Sequence, residues 1–399
     1  MDSEPTTKLP RTVLGLILGV AFISLGVGYL IIFITGHLKE IGVSAATIGL
    51  LIGVFGLVPS LVAIPLGIIS DRKGRKWPLI LGSLGVGPSM IVFALTTELS
   101  YLLLSAVLLG LAEAASLATW NAIIADQTNL HNRDRAFSLS FIVGNLFTGI
   151  GLAIPYAFPT LQRMLSIDSA TIYRDFMIFF SLLSLMTPAA FFVLLRGYAE
   201  VNRSIGPKQK SGRDMRLLAK FSGFNGLIGL GAGFIIPLIP TWLLLKFAVT
   251  PQYSGPLLAV SNITIAFSSI GSARIAKVYG PVRSIVLTTG ASTIFMLSLA
   301  YVPDPLLAAG LYIIRAGLMN MAGPLLDSYL MGIISAEQRG LASAINSIVW
   351  RLPNSISTVV GGILLDQGRF DVPFLLATGF YVTAISLFYW NFRNIRPRT

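Results

Sequence analysis

The sequence predicts an all-α integral membrane protein of twelve transmembrane helices, arranged as two pseudo-symmetric six-helix halves. Three observations carry that prediction: sparse charge, twelve long apolar runs, and basic residues concentrated in every second loop. Of 399 residues, 29 are Lys or Arg, 17 are Asp or Glu, and 54% are hydrophobic; the mean hydropathy is +0.78. A soluble domain carries about 25% charged residues, against 12% here, too few to coat a water-facing surface. The 39 glycines and 21 prolines inside apolar text argue further against a soluble helical enzyme. There is no cysteine, which excludes disulfides, thiolate metal sites and cysteine nucleophiles together. Two histidines, His37 and His131, are too few for a histidine-based metal cluster, so no metal site is expected.

A helix that crosses about 30 Å of hydrocarbon needs roughly 20 apolar residues. Such runs fall at 12–36, 44–70, 77–96, 100–126, 135–159, 174–196, 215–246, 253–276, 281–302, 304–333, 338–366 and 371–392. The first is expected to be a retained helix and not a cleaved leader. It is too long, no Ala-x-Ala site follows it, and the second run begins almost at once. With the N-terminus placed inside, the inner segments hold 22 of the Lys and Arg residues and the outer segments 5; Arg315 and Arg351 lie within spans. That asymmetry fixes an orientation with both termini cytoplasmic, because one missed helix would scramble it. The formal net charge of +12 therefore points to lipid headgroups as partners, not to nucleic acid.

The longest polar stretch, Gly197–Asp214, is basic and carries a Gly-Pro pair. It reads as a cytoplasmic linker between an N-terminal half, 1–196, and a C-terminal half, 215–399. An internal repeat supports the division. Shifted by 206, residues 43–138 lie on 249–344 without a gap, so that Gly49 meets Gly255, Gly74 meets Gly280, Glu98 meets Asp304 and Arg133 meets Arg339. Two parallel halves imply a cleft with a binding site near the bilayer midplane.

Between the second and third spans the chain reads Gly67-Ile-Ile-Ser-Asp71-Arg72-Lys-Gly74-Arg75-Lys76. This resembles the G-x-x-x-D-R-x-G-R-K/R signature of the major facilitator superfamily, in the loop where that family carries it. The shifted copy, from Ala273 to Val282, keeps Gly280 but puts Lys277 where Asp71 stands, and Arg339-Gly-Leu-Ala342 opens span eleven. Gly67 permits close helix packing and Gly74 a tight turn. Asp71 is suited to the positive end of a helix N-terminus. The resemblance implies that this neighbour is the start of span eleven. It also implies that Arg75 or Arg72 pairs with an acid at the inner end of span four, here Asp126, and that Gly67, Asp71, Arg72, Gly74, Arg75 and Asp126 form a conformational latch.

A charge inside a span costs at least about 2.5–3.5 kcal/mol on insertion scales, so each is a functional candidate. Four qualify: Glu113, Arg315, Asp327 and Arg351. The resemblance implies that spans one, four, seven and ten line a cavity, with two, five, eight and eleven at the seam between the halves, which makes Arg315, Arg351, Asn121, Asn225, Asn320 and Trp120 candidates for its wall. By the repeat, Arg315 corresponds to Leu109, one turn from Glu113, so the two are expected at similar depth. With no histidine in the predicted spans, a proton relay rests on Glu113 and Asp327. The glycines of span seven, Gly226, Gly229, Gly231 and Gly233, follow no strand and read as a packing device, not a nucleotide loop. Span five, with Gly144, Gly149, Gly151 and Pro155, echoes the antiporter signature of drug exporters only loosely, and Ala106 stands where the family often has an arginine.

The expected function is secondary active transport of a small solute by alternating access, as a multi-pass protein of the plasma (inner) membrane. It is expected to act as a monomer, with the proton as coupling ion and no other cofactor, and to export amphipathic compounds. Uptake or exchange of an organic anion held by Arg315 and Arg351 is the alternative within that class. A membrane-embedded enzyme or receptor would need a clustered nucleophile or metal site, and the sequence offers none.

Overall fold

The computed structural model describes residues 8–129, 132–198, 212–335 and 339–395, the side chains at 71, 133, 134, 212, 213, 266, 269, 270, 272, 273, 339–341, 343 and 344 excepted. His131 and most of the predicted linker Gly197–Asp214 lie outside the described residues. The chain runs through α1 (Arg11–Glu40), α2 (Ala45–Lys73), α3 (Lys76–Leu95), α4 (Leu99–Asp126), α5 (Arg133–Ala153, extended to Leu165), α6 (Ser169–Leu194), α7 (Asp214–Phe247), α8 (Pro251–Tyr279), α9 (Pro281–Ala300), α10 (Pro305–Ile333), α11 (Arg339–Asp366) and α12 (Val372–Phe392). Among the described residues, eleven helices are long and apolar enough to cross a membrane. The remaining one, α8, has 29 residues, about 43 Å at 1.5 Å per residue.

Local chemistry sets the boundaries. Gly42, Gly74, Gly280 and Gly368 all hold positive φ, at 97°, 104°, 77° and 73°, and each ends a helix. Gly74 and Gly280, superimposed by the 206-residue repeat, thus make the same left-handed turn between the second and third helices of each half. Asp304 caps α10 by accepting from Leu306 N at 3.0 Å and Leu307 N at 2.9 Å, and Asp168 caps α6 by accepting from Thr171 N at 3.0 Å. Pro155 and Pro237 open 3₁₀ turns inside α5 and α7, where proline removes an intrahelical donor.

Two compact units result, each with its own core. The first comprises Met1–Ile41, Val58–Ile205 and Pro251–Ala259; the second comprises Gly42–Leu57, Gly206–Thr250 and Val260–Thr399. The start of α2 therefore packs within the second unit and the start of α8 within the first. In the first unit, α1 and α5 touch backbone to backbone. A methyl group at Gly28 would lie 2.1 Å from Thr148 O, and one at Gly151 would lie 2.1 Å from Leu25 O. The second unit repeats the device between α7 and α11, where a methyl group at Gly229 would meet Trp350 O at 2.2 Å. Small residues at helix crossings are how bundles pack in lipid, where apolar burial offers little driving force. Aromatic side chains fill the remaining space: Tyr29, Phe158, Tyr173 and Phe180 in the first unit, and Phe221, Phe224, Phe388 and Phe392 in the second. Large apolar side chains such as Leu306, Trp390 and Ile294 stay exposed, as a lipid-facing surface requires.

Span one differs from its predicted extent. The helix does not stop at 36 but continues through a π-helical turn, Phe33–His37, to Glu40. His37 is therefore inside the span, only 4% exposed, with its ring stacked on Tyr173 at 4.1 Å. The expectation that no histidine occupies a span is corrected. The polar triplet His37–Lys39–Glu40 looks like a loop in the sequence, whereas here the wider π turn tucks the imidazole against an aromatic ring.

Candidate functional site

The loop after α2 is built from its glycine outward. Gly74 N donates to Ser70 O at 2.9 Å, and the left-handed turn at Gly74 delivers Arg75 to the N-terminus of α3. The Arg75 guanidinium donates to Asp126 Oδ2 at 2.5 Å, with the two side chains 10% and 3% exposed. Tyr198, just beyond α6, donates its hydroxyl to the same oxygen at 2.7 Å. Burial and then the Asp126 hydrogen bond push the Tyr198 phenol up to about 12. Of the two arginines that the resemblance offered as partners of Asp126, the structure brings Arg75 to it, and it adds Tyr198. Sequence had offered no signal for Tyr198 beyond its place next to the inner end of a span.

Other parts of the loop fare differently. Arg72 is exposed, and the side chains of Asp71 and Arg339 lie outside the described residues. Among the described residues, a methyl group at Gly67 would meet nothing within 4 Å. The tight glycine contacts of α2 among the described residues lie in its first half, at Gly49, Gly53 and Gly56.

The intramembrane polar residues separate into two kinds. Some hold helices together within a unit. Asn225 of α7 donates to Asn346 Oδ1 of α11 at 2.8 Å, and Trp120 of α4 donates to Ser140 Oγ of α5 at 3.1 Å. Arg315 belongs here as well. It is 4% exposed, its Nη2 donates to Tyr381 Oη of α12 at 2.8 Å, and its Nε has no hydrogen-bond partner. The repeat gave its depth along α10 but not the direction of its side chain, which points toward α12 inside the second unit. Others keep water- or lipid-accessible surface. Asn121 and Asp327 are exposed, Glu113, Asn320 and Arg351 are partly buried, and Asn320 bonds only its own helix, at Ala316 O, 2.9 Å away. Asp327 lies one turn beyond Pro324, which interrupts the hydrogen bonding of α10. Among the described residues, no cluster of three or more His, Cys, Asp or Glu side chains could hold a metal ion.

The signature loop and two glycine-crossed bundles have a counterpart in known sequences. The family model of the Major Facilitator Superfamily matches residues 16–223 and again 221–399. The chain belongs to the major facilitator superfamily. Its membership makes it a multi-pass membrane transporter, the class that the spans and loop charges had indicated. Among curated relatives, Multidrug resistance protein 2 of Bacillus subtilis is 25% identical over 396 residues, covering 94% of each chain. Quinolone resistance protein NorA of Staphylococcus aureus is 28% identical over 136 residues, 33% of this chain and 35% of that one. Among solved structures, a bacterial homologue of the human lysosomal transporter Spinster, in an inward-facing and unoccupied conformation, superimposes with a TM-score of 0.76 over 96% of both chains. At 16% identity that likeness speaks for the superfamily fold alone.

Proposed function

We propose that this superfamily transporter exports amphipathic compounds across the plasma membrane in exchange for protons, with both termini in the cytoplasm. The observation that carries the substrate class is the end-to-end relation to a multidrug resistance protein, 25% identical over 94% of each chain. The sided distribution of Lys and Arg supports the orientation. Glu113 in α4 and Asp327 in α10 are proposed as the proton carriers. Both are carboxylates within helices that the family arranges along its cavity, and each keeps accessible surface. Arg351, Asn121 and Asn320 are proposed to line the path, and Asn225 and Trp120 to shape it through the interhelical bonds described above. Arg315, turned toward Tyr381, holds α10 against α12 and thereby sets the position of Asp327 on the same helix. The latch residues Asp71, Arg72, Gly74, Arg75 and Asp126 act on conformation, not on the solute.

Purified protein in proteoliposomes should accumulate a fluorescent amphipathic cation when a pH gradient is imposed, and should lose accumulation when the gradient is collapsed. Glu113→Gln should keep downhill exchange and lose gradient-driven accumulation, because a permanently neutral carrier cannot return a proton. Full accumulation by that variant would remove Glu113 from the mechanism and leave Asp327→Asn as the next test.

A further inference from the structure

Asp366 is the last residue of α11. A carboxylate there faces the negative end of its own helix dipole, an unfavourable place for an anion. Its partners lie on another helix, far away in sequence. Asp366 Oδ1 accepts from Ala45 N at 2.7 Å and Oδ2 accepts from Ala46 N at 2.8 Å. The next amide of α2, Thr47 N, donates to Ser44 Oγ at 3.0 Å. The first amides of a helix have no intrahelical acceptor. Here the first two are satisfied by Asp366 and the third by an ordinary serine cap, so a side chain of α11 completes the N-terminus of α2.

The two helices also run in close contact behind this cap. A methyl group at Gly362 would lie 2.4 Å from Ala45 O, and one at Gly49 would lie 2.6 Å from Thr358 O. Gly42–Leu57 accordingly packs in the second unit, with Asp366, while the rest of α2, from Val58, packs in the first. One continuous helix is thus shared by both units, and Asp366 fastens its first turn. The signature loop places Asp71 near the opposite end of the same α2, and the family resemblance assigns that carboxylate to the start of α11.

We propose that Asp366 is a positioning residue of the transport cycle: its carboxylate clasps the N-terminus of α2 in one conformation and must release it in the other. The clasp belongs to the outer face if the orientation under Proposed function holds, and it rests on that reading only for its sidedness.

The chain has no cysteine, so introduced thiols are the only labels. Spin labels at Val43→Cys and Gln367→Cys flank the two hydrogen bonds, and their distance distribution in nanodiscs reports whether the clasp is closed. The ratio of open to closed populations should rise about fivefold to tenfold in Asp366→Asn, which removes the charge at the helix N-terminus and one of the two acceptor oxygens, and Asp366→Glu should restore part of the closed population. An unchanged distribution in Asp366→Asn would overturn the proposal. A second measurement does not depend on how that variant folds: joining the same two cysteines with a short bifunctional thiol reagent in otherwise wild-type protein. Export of the fluorescent cation should stop and should resume on cleavage of the linker; export that continues through the linked protein would show that the clasp need not open. If a membrane-impermeant thiol reagent reaches Gln367→Cys only from the cytoplasmic side while the distances still shift, the orientation fails and the clasp stands. A fluorescent cation not moved even by the unlinked protein would count against the substrate class alone.

Discussion

Acidic residues at the ends of helices carry more of this molecule than those in the middle. Asp126 and Asp366 are each the last residue of a helix, where their own helix repels them, and each is used by another element. Asp126 is nearly buried between Arg75 and Tyr198. Removing one partner of a buried ion pair costs about 3–5 kcal/mol, while replacing both with apolar residues costs far less. Asp126→Asn should therefore lower the unfolding temperature more than the double variant Arg75→Met/Asp126→Leu, measured side by side in detergent. If the single variant proves as stable as wild type, the pair does not hold this end of the first unit. Tyr198 adds a pH dependence of known sign. Its protonated hydroxyl is the donor, and its folded value lies above the ordinary phenol value of about 10. Its contribution is therefore fully present below about pH 10 and is lost as pH rises through about 12. Tyr198→Phe should flatten the part of the stability loss that falls in that alkaline window, and an identical alkaline profile would refute the role. This residue-scale chemistry was only partly legible in the sequence. Arg75 and Asp126 could be paired through the family signature, but nothing in a linear pattern says that a tyrosine after span six reaches the same oxygen, or that Asp366 caps a helix more than three hundred residues away.

At the scale of elements, the apolar runs located every helix, because the membrane imposes one length and one polarity on every span; the widest misses are the end of α5, placed at 159 and found at Leu165, and the start of α6, placed at 174 and found at Ser169. The misplacement at the end of α1 has a specific cause: His37, Lys39 and Glu40 are polar, and hydropathy cannot distinguish a loop from a helical turn that packs a polar ring against Tyr173. The glycine run of α7 was read as a packing device, and the structure shows which glycines serve it. A methyl group at Gly229 would clash with the backbone of α11, whereas one at Gly223, on the same helix, would meet nothing within 4 Å. Gly229→Ala should lower stability by about 1–3 kcal/mol, the usual penalty of overpacking. Gly223→Ala should be neutral or raise it by about 0.5–1 kcal/mol, the helical gain of alanine over glycine. Equal effects at the two positions would contradict the backbone contact of α7 and α11.

For the whole molecule, composition already excluded a soluble protein, and the signature loop, the spans and the repeat together indicated the superfamily. Function was legible to the level of transport because that property belongs to the architecture. The path of the solute was not, because depth along a helix follows from counting residues whereas the direction of a side chain does not; Arg315, expected on a cavity wall, turns inward to Tyr381. Asp71→Asn should leave folding intact and slow turnover, since it removes the charge of the latch but not its shape, and normal transport at normal abundance would refute that assignment. The central claim, exchange of solute against protons, is tested most directly in the reciprocal direction. In proteoliposomes holding a pH-sensitive dye, with no initial pH difference, an imposed gradient of the amphipathic cation should drive protons the opposite way, and Glu113→Gln should abolish that proton movement while the cation still exchanges. A cation gradient that dissipates through the wild-type protein without moving protons would contradict the account and identify a facilitator instead.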